Sequence, residues 1–192
     1  MLKKETRLLG LSGTTTGHRT ILVGVVFRGA LWLDGVVSSS LDRTEQGYDL
    51  EISRAIQGSK QYSQLHAVIV SRRLSGNRKI SMHDLAMRLR LPVIVQGKSN
   101  YRSRTGRLRA LKSFGIVVSG KHLRVSAIGI DKSEVEKLYR IGCTLGSTIP
   151  ESVRVADLLA AQLRHVSLNQ QQSRDQCWTV PEHKMHKSRP EG

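Results

Sequence analysis

The sequence predicts an α/β domain in which a mixed β-sheet carries helices on both faces. Three observations predict it. Two β-branched segments follow one another closely near the N-terminus, as in an antiparallel hairpin. Strand-like and helix-like periods then alternate, the pattern of parallel crossover units. The 192 residues are 39% apolar and 24% charged, which suits one domain with a full core. Aromatics make up 4%, so that core is mainly aliphatic.

The elements follow in order. Residues 7–11 form a short apolar segment that runs into Ser12-Gly13-Thr14-Thr15-Thr16-Gly17, a polar stretch with turn character. Residues 21–27 (ILVGVVF) are continuous and β-branched, as a buried strand requires. Gly29 breaks that run, and residues 30–37 (ALWLDGVV) supply the second strand of the hairpin, with Asp34-Gly35 as a bulge. Residues 48–57 read as a helix with Ile52, Ala55 and Ile56 on one face and Gly58 as its stop. Residues 66–70 (HAVIV) are another buried strand, and residues 71–79 (SRRLSGNRK) a basic loop. Ser81 opens a helix with Asp84 three residues on, and Leu85, Met87, Leu89 and Leu91 supply its apolar content. Pro92 introduces a strand at 93–95. Residues 116–118 and 122–128 form a second hairpin around Ser119-Gly120. Asp131 with Glu134 caps a helix that runs to about Ile141. Pro150 precedes the last helix, 151–166, with Val155, Leu158, Leu159 and Leu163 as its inward stripe. The domain spans 1–167, and 168–192 reads as a polar, loosely docked tail.

Charge narrows the function. Lys and Arg total 31 against 15 acids, a formal net charge of +16. A polyanion relieves the resulting self-repulsion, and release of its counterions drives binding. DNA or RNA is therefore the expected partner. Membrane is not expected, because no apolar run approaches the roughly 20 residues of a span and no basic amphipathic helix is evident. No h-region follows the basic start, so no signal peptide is read, and Cys143 and Cys177 fit free thiols in a reducing cytoplasm. Oligomeric state is left open. The densest basic block is 97–112 (GKSNYRSRTGRLRALK), where Lys98, Arg102, Arg104, Arg107, Arg109 and Lys112 are placed to hold a phosphate backbone and Tyr101 to stack on a base. The seven histidines are scattered, with no pair at zinc-like helical spacing.

Two stretches carry more than composition: LVGVVFRGALWLDGVVSS at 22–39 and STIPESVRVADLLAA at 147–161. With Gly47-Tyr48-Asp49 and Leu91-Pro92-Val93-Ile94-Val95 between them, the chain resembles, over roughly residues 7–166, the archaeal family of domain of unknown function ninety-nine. That family is related to endonuclease V and described as endonuclease dU-like. The resemblance implies an RNase H-like fold, with a five-stranded mixed sheet beginning in an antiparallel meander. It also implies a metal-dependent nuclease, in which carboxylates at strand ends clamp magnesium or manganese.

Those carboxylates are missing here. Where the family has L-G-I-D-D-G, this chain reads Leu9-Gly10-Leu11-Ser12-Gly13-Thr14, and where it has L-D-G, Val70-Ser71-Arg72. Serine is a weak metal ligand, and Arg72 and Arg73 oppose a cation by Coulomb repulsion. Ser12, Gly13 and Ser71 therefore read as degenerate positions, with no metal site and no cofactor expected. Asp34 and Asp49 match the family and stand as possible remnants, although a bulge carboxylate and a helix N-cap are the bland roles for them. The vacated cleft suits a phosphate, with Ser12, Ser71, Arg72 and Arg73 around it and backbone N–H groups of 13–17 beside it. Arg154, in the second motif, either points into the cleft or pairs with Glu151 or Asp157. The expectation is a nucleic-acid-binding relative of endonuclease V without nuclease activity. Two rivals remain. One is a nuclease on uracil- or inosine-containing nucleic acid with ligands rebuilt from Asp34, Asp49 and one of Asp42, Glu45 or Glu51. The other is a structural component of a ribonucleoprotein.

Overall fold

The computed structural model describes residues 5–16, 18–42, 48–75, 80–97 and 111–176. Its strands are β1 (Arg7–Thr16), β2 (Arg19–Arg28), β3 (Trp32–Asp42), β4 (Leu65–Val70), β5 (Val93–Gln96), β6 (Lys112–Val118) and β7 (Lys121–Ile128). Its helices are α1 (Tyr48–Gln57), α2 (Arg72–Ser75), α3 (Met82–Leu89), α4 (Lys132–Gly142) and α5 (Glu151–Gln176). The strands form one sheet in the order β3-β2-β1-β4-β5-β7-β6. β1, β2 and β3 are an antiparallel meander, and β4 and β5 run parallel to β1. The sheet has seven strands, not five: β7 pairs antiparallel with β5, and β6 with β7. The second hairpin is legible in the sequence, but its docking on β5 is a long-range pairing that no local pattern specifies.

The alternation of side chains builds two layers. Leu9, Leu11, Val68, Val70, Val93 and Val95 face α1 and α3. Leu8, Ala67, Ile69 and Ile94 face α4, while Val23, Val25 and Phe27 lie under α5. Caps fix several boundaries. Ser81 Oγ accepts the Asp84 N–H at 3.2 Å, and Asp131 accepts the Glu134 N–H at 2.9 Å. Ser119 (φ 48°) and Gly120 (φ 74°) make the β6–β7 turn with positive φ at both positions, as a tight hairpin needs. The expected bulge is present: Val26 faces Gly35 and Phe27 faces Leu33, so Asp34 is the extra residue.

Four expectations fail locally. β1 continues through Thr16, with Gly13 opposite Leu22, so residues 13–16 are strand; extended backbone alternates its N–H directions and forms no anion cradle. Residues 72–75 are a turn of helix instead of loop. The last helix runs to Gln176, past its expected end at 166. Its buried stripe is Val153, Ala156 and Ala160, with the expected Val155 and Leu163 partly buried beside it, whereas Leu158 is 51% exposed and Leu159 37%. Close approach explains the choice. A Cβ on Gly10 would lie 2.2 Å from the Ser152 carbonyl carbon, so α5 sits directly on β1 and small residues must line the contact. Among the described residues, no helix is long and apolar enough to cross a membrane.

Candidate nucleic-acid interface

β4 ends beside Leu11, midway along β1, at the carboxyl end of the parallel strands, where α/β folds hold their ligands. Ser71 directly follows β4, and its N–H bonds to the Leu11 carbonyl at 2.9 Å. Ser12 lies on the β1 face covered by α5. The Ser71 hydroxyl donates to Ser12 Oγ at 3.2 Å, and Ser12 donates to Asp157 Oδ1 at 2.5 Å. Both serines are fully buried. They therefore brace the floor of the cleft and do not reach solvent, against the expectation that they line a phosphate site.

Solvent meets Arg72, Arg73 and the edge of Asp157. Leu74, 2% exposed, anchors α2 and holds the two arginines outward. The Arg73 Nε stands 3.9 Å from Asp157 Oδ1, with the guanidinium more than half exposed. That pair is long and wet, hence weak. Arg72 lies across Gly97 at the end of β5; a Cβ there would come 2.8 Å from Arg72 Nε, and φ of +90° also requires glycine. The rim of the cleft thus carries two exposed guanidiniums and one carboxylate.

The two family-matching acids are elsewhere. Asp34 accepts from Arg7 Nε and from Arg28 Nη2 (3.1 Å) at the start of β1, five residues and roughly 16 Å along the strand from Ser12. Those arginines hold its carboxyl below the usual range against the cost of burial. Asp49 is inside α1, not its cap, and pairs with Arg88 of α3 at 3.2 Å, across the sheet from Asp157. Glu51 pairs with Arg54. Among the described residues the cleft therefore offers one carboxylate, already bonded to a hydroxyl and next to a cation, a donor set that does not fit magnesium or manganese. Among the described residues, no three His, Cys, Asp or Glu converge as metal ligands. Burial, with the neighbouring Glu151 carboxylate, pushes the Cys143 thiol up to about 12, so it stays protonated at neutral pH.

Arg154 pairs with Glu151 through both Nε (2.8 Å) and Nη2 (2.7 Å), the local alternative. Lys112 is exposed but starts β6 at the other end of the sheet, so it does not join Arg72 and Arg73. Lys98, Tyr101, Arg102, Arg104, Arg107 and Arg109 lie outside the described residues, as do Glu45 and residues 177–192. Sequence reasoning assigns Asp157 no part in the cleft. Its one local signal is its place beside the Ala156–Ala160 stripe; its partner Ser12 is 145 residues away.

Sheet order and helix layers define an α/β fold like that of endonuclease V. The crystal structure of endonuclease V from Bacillus subtilis superposes with a TM-score of 0.58 at 14% identity, covering 86% of this chain and 82% of that one. A protein of unknown function from Archaeoglobus fulgidus gives 0.66 at 18% identity, over 83% and 99%. The chain matches the family described as Endonuclease dU over residues 4–164 and belongs to it. A UPF0215 protein from Methanosarcina barkeri is 32% identical over 182 residues, covering 83% of this chain and 91% of that relative.

Proposed function

We propose that this member of the endonuclease dU family binds DNA or RNA through its phosphate backbone without metal and without cutting it. The observation that carries this reading is the cleft itself: two exposed guanidiniums stand at a rim where, among the described residues, one carboxylate lies and is already engaged. Arg72 and Arg73 meet phosphate oxygens, and Ser12, Ser71 and Asp157 keep β1, β4 and α5 in register beneath them. The net charge of +16 supplies the long-range attraction, and the basic block 98–110, which follows Gly97 in the chain, extends the same grip. The protein is cytoplasmic in this reading. A nuclease needs several carboxylates at one point, and Asp34 and Asp49 are held in separate ion pairs.

The test combines gel shift and strand cleavage on single- and double-stranded DNA and RNA, with and without uracil or inosine. Binding should survive EDTA and weaken with salt. Arg72→Ala with Arg73→Ala should lower the slope of log K against log salt by about 0.9 for each phosphate no longer neutralised. Arg107→Ala with Arg109→Ala should act the same way. Nicking by magnesium or manganese that Asp157→Ala abolishes would overturn the reading.

A further inference from the structure

The outer strand β3 is built differently from the rest of this basic molecule. It is the sheet edge, eleven residues long, and no strand among the described residues pairs with its outer side. Leu31, Trp32, Leu33 and Val36 are all more than half exposed. Leu33 and Val36 face the same side as their register partners Phe27 and Val25. α5 covers that side with Ala156 and Ala160 over β2 but leaves β3 bare, so an apolar shelf lies beside the helix. Between Gly29 and Asp42 there is no Lys or Arg, in a chain that has 31. Asp34, within this stretch, is already neutralised by Arg7 and Arg28.

Exposed edges usually carry lysine, proline or a bulge against unwanted pairing. Here Gln61 donates to the carbonyl of the bulge residue Asp34 at 3.1 Å, which covers that one point. Residues 36–42 keep a regular edge with neither lysine nor proline. Nucleic acid finds no cation to hold on this edge. A second copy finds the place where two strongly positive chains meet with least repulsion, and an antiparallel edge is complementary to itself.

We propose that two copies of this chain pair antiparallel through the outer edges of β3, along residues 36–42, so that Ser38 of each copy stands opposite Ser40 of the other and Val36 opposite Asp42. One continuous sheet then runs through the dimer. Both clefts stay open, because β1 lies two strands in from the joint. The inference is independent of nucleic-acid binding. Its test is sedimentation equilibrium of the full chain, freed of nucleic acid in high salt. The expected result is a shift from one chain mass to two with rising concentration. Ser38→Lys combined with Ser40→Lys changes only exposed side chains, so its circular dichroism, and its melting at concentrations where both proteins are monomeric, should match the wild type. Its dimer dissociation constant should rise at least tenfold by like-charge repulsion across the joint. Val36→Asp provides a second variant, opposite Asp42 of the other copy, and should weaken the dimer in the same sense. A wild type that stays monomeric, or a dimer unaffected in well-folded variants, would overturn the proposal.

Discussion

The stretch of β1 paired with β4 has a carboxylate-centred cluster at each end, and the two are built in opposite ways. At the Arg7 end, one carboxylate sits between two guanidiniums on neighbouring strands, tightly paired and mostly buried. At the Ser12 end, the carboxylate comes from a helix, accepts from a hydroxyl, and leaves its nearest guanidinium 3.9 Å away and exposed. The first arrangement uses all its charge to hold β1, β2 and β3 together. The second leaves positive charge facing solvent. An acid that matches a family motif therefore says little about activity until its strand end is known.

Four changes test that contrast. The largest effect is expected from Gly10→Ala. The new methyl meets the Ser152 backbone at 2.2 Å and pushes α5, with Asp157, off β1. Unfolding in denaturant should show a loss of about 3 kcal/mol or more. Asp34→Asn comes next, because it leaves Arg7 and Arg28 without their anion; a loss of about 2 kcal/mol is expected. The pH dependence gives the sign. The Asp34 carboxyl is held below its ordinary 3.8, so its contribution is complete above that value and disappears as pH falls through the lowered one. Acid titration of stability should therefore flatten in Asp34→Asn. Ser12→Ala, which removes the bond from Ser71 and the bond to Asp157 at the looser end, should cost about 1.5 kcal/mol. It should leave nucleic-acid affinity unchanged, since Ser12 is fully buried. The smallest effect is Asp157→Asn, which removes the one anion at the rim and should tighten binding by roughly twofold at low salt. Weaker binding would show that Asp157 orients Arg73 instead of competing for it.

Much of the fold is readable in the sequence because it is written in local patterns. The run at 21–27, the caps at Ser81 and Asp131, the Asp34 bulge and the Ser119-Gly120 turn all depend on neighbours a few residues apart. The errors share the opposite property. Leucines at 158 and 159 suggest an inward stripe, but contact with Gly10 selects Ala156 and Ala160. Asp49 looks like a cap because its partner Arg88 is 39 residues on. In the cleft, the vacancies at Ser12 and Ser71 are legible from the resemblance. Their occupant Asp157 is not, because only the approach of α5 brings it there.

The seat of α5 on β1 also has a consequence for how the chain is made. β1 and β2 leave the ribosome early, but Val23, Val25 and Phe27 receive their cover from Val155, Ala156, Ala160 and Leu163 of α5. At common translation rates the interval is on the order of ten seconds. During that time an apolar sheet face is open to other nascent chains and to chaperones. Truncations that stop before residue 151 should accumulate in that same uncovered state and enter inclusion bodies.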